Sequence, residues 1–454
     1  MKKFELNMSE GPIFAKTMRF VIPLFATCVL QVFFNVADLA IVGKLVGEKA
    51  MSAIGATMSF NALVLTLFFG LSVGVNCVVA KAFGAKNDID IKKASSTAIL
   101  FSLIGGLCFM GIALVISRPV LILINTPSEI LEQALLYVRI CFLGIPLIVF
   151  YNFSCAILRS VGDTKRPFFF LAIGGTVNVL LNLFFVLVFK MEVAGVAIGT
   201  VASQLVTAIL IFRTLNVTKE AYGFKLNYLV FDKKVMWEIL RIGAPASLQS
   251  SCFTFSNIII QSSINSFGYL AVAGNTAVLT LEGIMDLCSG AFYHTAITAV
   301  SQNLGRKKFK RILKCIYCAL GCSVVGCVTL GLVFFFSGKY AIGLFNSNAD
   351  VIQWGLIRVK ILFTTFFICG IMDVAAGSLR GLGYSMISTA NSIIGICVFR
   401  IIWIWLVFPH FKTIECIFYA YPISWTMVAI VNWLFLRWGY RKVVTNNLPE
   451  VRLR

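Results

Sequence analysis

Apolar stretches long enough to cross a bilayer follow one another from end to end of this chain, separated by short polar breaks. That succession leaves few folds open. Inside lipid every backbone N–H and C=O must find a partner within the protein, so only helices and closed barrels can span. Barrel strands alternate polar and apolar side chains over about ten residues, and these stretches do not alternate. With 59% hydrophobic residues and only 13% charged ones, against about 25% in soluble domains, no water-facing surface could be assembled around the apolar mass. The expected fold is an all-α membrane protein with twelve transmembrane helices, at roughly 17–40, 50–78, 94–117, 131–157, 167–189, 194–213, 236–264, 271–300, 312–337, 352–378, 386–408 and 415–438. The opening "MKKFELNMSEGPIFAKTMRF" lacks the short apolar core of a cleavable signal, so insertion is expected to rest on the first span.

The net charge of +20 invites a nucleic-acid reading, but the distribution of the charge argues otherwise. With the N-terminus inside, 29 of the 39 Lys and Arg fall on one side of the membrane and 6 on the other; Arg139, Arg358, Lys360 and Arg400 lie in or at the edges of spans. This is the positive-inside pattern and puts both termini in the cytoplasm. No aromatic-interleaved basic motif is present, so a nucleic-acid partner is not expected; a weak affinity for anionic lipid is. The 14 cysteines are scattered through the spans as small apolar residues. "CIYC" at 315–318 has metal or redox spacing without a second ligand pair, and His294 and His410 are far apart, so no metal cluster is expected.

The two halves repeat each other. "AMSAIGA" (50–56) matches "AVAGNTA" (271–277), "KAFGAK" (81–86) matches "QNLGRK" (302–307), and "ILRSVGD" (157–163) matches "SLRGLGY" (378–384), each 221 residues apart. Upstream, "RFVIP" (19–23) against "RIGAP" (241–245) and "FFN" (33–35) against "FSN" (255–257) are 222 apart, so one residue is inserted between the two registers. Six spans per copy is an even number, so both copies enter the membrane in the same sense, as a parallel repeat. The expected organisation is an N-terminal six-helix lobe at 1–213, a cytoplasmic linker at 214–235 and a C-terminal six-helix lobe at 236–454.

In order and duplicated, "GPI" (11–13), "IPL…LQVFFNVADLAIVGKLVG" (22–47), "GLSVGVNCVVAKAFGAK" (70–86), "ILRSVGDTKRP" (157–167), "GVAIGTVASQ" (195–204), "SQNLG" (301–305) and "SLRGLG" (378–383) resemble the multidrug and toxic compound extrusion (MATE) family. The resemblance covers residues 10 to about 440. It implies a monomeric exporter in the bacterial inner (plasma) membrane. It implies small organic, often cationic substrates, and antiport against H⁺ or Na⁺ by alternating access, with no cofactor. It places Asp38 on the acidic residue of the first helix that belongs to the family's cation site. The family's fifth-helix partner motif, Asn then Asp four residues on, reads "NVLLN" here: Asn178 matches, and Asn182 replaces the Asp. The departure removes one carboxylate and leaves the coupling ion open, with Na⁺ at Asp38 and Asn178 one option. A lipid-linked precursor flippase of the same superfamily is the alternative, although few Arg fall within the spans. A membrane sensor or enzyme would need a catalytic cluster, a phosphate loop or a long folded loop, none of which is present.

An Asp at the centre of a membrane helix costs about 2.5–3.5 kcal/mol, so each one asks for a reason. Gln31, Asn35 and Asp38, spaced i, i+4, i+7, form one helix face, and a carboxylate held partly out of water can bind and release a proton. The repeat sharpens the point, because Asp38 aligns with Ile260. The structural alternative is solvation at the helix end or pairing with Lys44. Glu282 and Asp286, i and i+4 on the eighth span with Ser289 and Tyr293 continuing the face, are candidates for binding cationic substrates; the alternative is an interhelical polar network. Asp373 reads as an end-of-helix contact toward Arg380. Of the 41 Phe, Phe34, Phe153 and Phe253 neighbour polar positions and are candidates to stack on flat cations, although most Phe must face lipid or core. Pro23 and Pro245 are expected to bend the first and seventh spans.

Overall fold

The computed structural model describes residues 4–124, 126–225, 229–345 and 348–447, apart from the side chains at 39, 40, 44, 48, 49, 58, 59 and 63. Lys44, the alternative partner of Asp38, falls among those excluded side chains. Among the described residues the regular structure is all helical. The helices are α1 (Ile13–Ile41), α2 (Glu48–Ala85), α3 (Asp88–Leu123), α4 (Ser128–Leu143), α5 (Ile145–Ser160), α6 (Lys165–Leu187), α7 (Glu192–Val217), α8 (Lys233–Asn265), α9 (Tyr269–Gly305), α10 (Phe309–Gly343), α11 (Ala349–Arg358), α12 (Phe367–Gly381), α13 (Ser385–Ser392), α14 (Phe399–Leu406), α15 (Phe408–Phe411) and α16 (Ile414–Asn446). Three π-helical segments, Val42–Val46, Val359–Phe363 and Ile393–Val398, interrupt or continue them.

The expected spans map onto these helices, with two corrections of shape. The fourth span is two helices, α4 and α5, meeting at 46°, and the tenth is α11 with its π segment and α12, meeting at 47°. The first break follows from its residues: Gly144 lies so close to Gln204 Oε1 that a Cβ there would stand 2.4 Å from it, and Pro146 has no N–H to continue the ladder. No proline or glycine marks the second break, which follows the π segment Val359–Phe363.

The repeat is written in the backbone as well as in the sequence. Left-handed residues recur in pairs: Gly47 with Gly268, Lys86 with Lys307, and Gly162 with Gly383, at a spacing of 221, then Lys190 with Lys412 at 222. Two of the three π segments fall where the register changes; across Val359–Phe363 the spacing stays 221. A π turn takes one more residue than an α turn. Val42–Val46 adds one in the first half, where the spacing falls from 222 to 221; Ile393–Val398 adds one in the second, where it returns to 222. Hence residues beyond Val398 align 222 positions back: α16 begins 222 after α7, and Arg400 stands where Asn178 stands in the first half.

The chain forms two compact units. Residues 1–6 and 22–240 make the first, and residues 7–21 with 241–454 make the second, so the first helix changes unit beside Pro23. The linker is docked on the first unit: Asp232 N donates to Thr97 Oγ1 at 3.1 Å, and Tyr222 and Phe224 are buried. In that unit Arg166 is ion-paired with the buried Asp163, and Tyr222 donates to Glu5 at 3.0 Å. In the second unit Gln302 Oε1 accepts from Met8 N at 2.7 Å, and Arg311 donates to the carbonyls of Met8, Glu10 and Gly11. The core of the second unit runs through Ile260, Ile264, Val278, Met285, Phe363, Phe366, Ile404, Phe418 and Trp425.

Candidate functional site

In the first unit, α1 and α6 bring one carboxylate and two amides together. Asn182 Nδ2 donates to Asp38 Oδ1 at 2.9 Å. The amide of Asn178 satisfies its surroundings only with its nitrogen toward Asp38, 2.6 Å from Oδ1 and 3.0 Å from Oδ2. Both asparagines are buried and Asp38 is half-buried. The i, i+4 spacing of Asn178 and Asn182 puts both on the face of α6 that meets α1. Close approach depends on α7, where a Cβ at Gly199 would lie 2.2 Å from Asn182 Oδ1. That oxygen is buried with no hydrogen-bond partner among the described residues.

The rest of the expected stripe does not join this site. Gln31 and Asn35 are exposed, and among the described residues neither hydrogen-bonds Asp38. Phe34 packs edge-on to Phe33 and lies over Gly175 of α6, where a Cβ would meet its ring at 2.0 Å. Phe153 is fully buried against Phe101, in the core of the first unit, and Phe253 packs against the core of the second.

The second unit holds a different constellation. Arg358, at the end of α11 and only 1% exposed, donates to Glu282 Oε2 through Nε at 2.9 Å and Nη2 at 2.6 Å. Its Nη1 donates to Asn275 Oδ1 at 2.6 Å, and Asn275 in turn donates to Gln261 at 3.0 Å. The guanidinium lies 5.3 Å from the ring centre of Phe418 and 5.2 Å from that of Tyr421, both on α16. Arg400 of α14, 5% exposed, stacks on Tyr421 at 4.0 Å and donates from Nε to Ser424 at 3.0 Å. Asp286, one turn beyond Glu282, is exposed. Asp373 of α12 accepts from Ser289 Oγ at 2.5 Å, which ties it to α9. Tyr293 is elsewhere: it faces Arg380, which also donates to Gln249 at 2.7 Å and to Thr389 at 3.3 Å.

Sequence reasoning marked Arg358 and Arg400 only as charges within spans and gave them no partners. The signal was there, since a buried guanidinium needs a counter-charge or an aromatic face. Glu282 and Arg358 are 76 residues apart, however, and only packing shows that they meet.

The polar cluster of the first unit, its duplicated helical setting and its carboxylate on the first span can be compared with known proteins. The model of the MatE family matches residues 23–184 and again residues 245–406, most of the chain and once per half. The chain belongs to the MATE family of transporters. Its relatives include the probable multidrug resistance protein YpnP of Bacillus subtilis, 28% identical over 399 residues, covering 87% of this chain and 88% of that one. Another is the multidrug export protein MepA of Staphylococcus aureus, 23% identical over 411 residues, covering 89% and 90%. A MATE crystal structure in complex with MaL6 superposes with a TM-score of 0.91 at 20% identity, covering 98% of this chain and all of that one. The fold of this MATE transporter is therefore that of the family: two six-helix lobes, twelve transmembrane helices and a parallel repeat.

Proposed function

We propose that this transporter is a secondary multidrug exporter of the bacterial plasma membrane, with both termini cytoplasmic. It exchanges small organic cations for inward-moving H⁺ or Na⁺ by alternating access. The names of its relatives in Bacillus and Staphylococcus support multidrug export. The excess of Lys and Arg in alternate loops supports the orientation. The observation that carries the coupling role is the Asp38 carboxylate held by the amides of Asn178 and Asn182. A half-buried carboxylate inside a lobe, with neutral donors and no described cation beside it, has a free energy that depends strongly on whether it is charged.

The arrangement favours a proton as the coupling ion. Asn182 turns its amide nitrogen to Asp38 Oδ1, and with the Asn178 amide oriented by its hydrogen-bonding neighbours that nitrogen too lies toward Asp38, nearer Oδ1 than Oδ2. A proton can go to Oδ2 while Oδ1 keeps two hydrogen bonds. A sodium ion needs oxygens around it, so both amides would have to turn. On the substrate side, Asp286 is the exposed carboxylate of α9 and the group we assign to recognition of an organic cation; Glu282 one turn away is already bound to Arg358. The test is ethidium export from proteoliposomes, driven separately by a pH gradient without Na⁺ and by a Na⁺ gradient at equal pH. The pH gradient alone should suffice. Export that requires Na⁺ and ignores pH overturns the assignment of the proton, and export with neither gradient overturns coupling.

A further inference from the structure

We propose that the groove between the basic ends of α10 and α16 binds one anionic phospholipid. Its phosphate lies between Lys314 and Arg437, and an acyl chain runs past Tyr317 and Trp433. Such a site involves neither the substrate nor the coupling ion assigned above.

The groove has a floor and two walls. α10 and α16 both pack on α12, and between them the rings of Tyr317 and Trp433 lie nearly parallel, 17° apart in plane and 6.3 Å between centres. On α10, Lys310, Lys314 and Tyr317 are spaced i, i+4, i+7; on α16, Trp433, Arg437 and Arg441 are spaced i, i+4, i+8. Each set therefore shares a helix face with one ring of the pair. As the ninth and twelfth spans, the two helices run in opposite senses. Lys314 and Arg437 thus lie on the same side of the rings, about 4.5 Å and about 6 Å along the axis from them.

The four cations are exposed, and among the described residues none has an ion pair or a hydrogen bond. No acid answers them: α10 carries none, and α16 carries only Glu415, at its far end. Trp433 Nε1, in the groove wall, has no acceptor among the described residues. Beyond the rings the walls are apolar and open. Around the place of a Cβ at Gly321, one turn on from Tyr317, there is nothing within 4 Å, and Val325 and Ile430 are 66% and 57% exposed. The order along both walls is apolar, aromatic, cationic, which is the order of chains, glycerol esters and phosphate in a phospholipid.

The other lobe shows what fills such a groove. The counterparts of Lys314, Tyr317, Trp433 and Arg437 are Lys93, Ser96, Ile211 and Leu215, at spacings of 221 on α3 and 222 on α7. There the linker occupies the place. Phe224 N donates to Leu215 O at 2.9 Å, the Phe224 ring lies 5.4 Å from that of Phe212, and Asp232 brings a carboxylate to Lys93 at 3.9 Å. One groove is thus closed by a segment with apolar side chains and an acid. The other has the lysine, a second cation and two rings, with no segment over it among the described residues. The stretch after α16, "LPEVRLR", offers two Arg against one Glu, so its charge has the wrong sign. An anionic lipid supplies both the apolar body and the negative end.

The test titrates the full chain, purified in a neutral detergent, with phosphatidylglycerol and separately with phosphatidylcholine, reading bound lipid by native mass spectrometry. One phosphatidylglycerol should bind in preference to phosphatidylcholine. K314Q combined with R437Q should weaken it about 30-fold, from about fivefold per charge removed. R213Q combined with K219Q removes as much charge from exposed positions of the other lobe and should leave binding unchanged. G321F puts a ring into the open strip, keeps every charge and should also weaken binding. No loss in K314Q/R437Q, or an equal loss in the two charge pairs, overturns the site. Undisturbed binding in G321F overturns the seating of the chain in the groove. If the native chain binds none and a chain ending at Asn447 binds one, the tail is the occupant and the lipid is overturned. None of these readouts involves transport, so their failure leaves the export reading intact, and a failed export assay leaves the lipid site intact.

Discussion

The two lobes of this transporter share a backbone plan and differ in where they keep charge. In the N-terminal lobe three equivalent positions hold Asp38, Asn178 and Asn182; in the C-terminal lobe they hold Ile260, Arg400 and Ile404. On α7, Gly199 leaves room for the Asn182 amide, while the matching residue of α16 is Tyr421, whose ring lies against two guanidinium groups. At these positions the N-terminal lobe keeps a carboxylate among neutral donors. The C-terminal lobe keeps a guanidinium there, and beside it the closed pair Glu282–Arg358. A lone acid with neutral neighbours changes its charge at modest structural cost. A buried Arg–Glu pair does not, because losing one partner leaves the other uncompensated. The difference teaches that duplication supplied the scaffold and substitution then gave equivalent positions opposite electrostatics: an acid among amides on one side, a guanidinium on an aromatic face on the other.

The largest effect expected from breaking this asymmetry is at Asp38. Asp38→Asn should insert and fold normally and lose gradient-driven dye efflux, since an amide cannot cycle its charge; undiminished efflux at native expression would remove the coupling role. Next comes the closed pair of the other lobe. Arg358→Ala should destabilise the protein by about 3–5 kcal/mol by stranding Glu282. Glu282→Leu combined with Arg358→Met should recover most of that loss in thermal unfolding, and a double variant as unstable as the single one would show that the pair is not the cause. A smaller effect is expected at Gly199→Ala, whose new methyl meets the Asn182 amide; the cost is about 1–3 kcal/mol, as for overpacking. Efflux should fall with it, and a variant with native stability would show that Asn182 can move freely. The smallest change sharpens the choice of ion. Asn182→Asp restores the family's second carboxylate and should add a modest Na⁺ stimulation to efflux, while the native protein shows none.

Much of the fold was legible in the chain itself. Span length and apolarity dictate helices, because nothing else satisfies a backbone in lipid. The one-residue drift of the repeat was visible too, and its physical origin is the extra residue of a π turn. The bend at Gly144 had its signals in Gly and Pro, whereas the bend after Phe363 had none, since a π segment depends on how its neighbours pack. At the candidate site, Asp38, Asn178 and Asn182 could be named from the family resemblance, but the exclusion of Gln31 and Asn35 could not be read from spacing. Spacing says which residues share a helix face, not how far that face continues to be covered.

By itself, then, the sequence determined the membrane-spanning class, the duplication, and which rare charges in apolar spans required a reason. Only the tertiary structure decided how those charges are spent: Glu282 closed on Arg358 from 76 residues away, Asp286 left exposed, and Arg400 laid on Tyr421. The physical reason is range. Hydropathy and backbone satisfaction act through neighbours along the chain, so they can be read in order. A charge in a low-dielectric interior is governed by whatever lies within a few ångströms in space, and folding alone chooses that company.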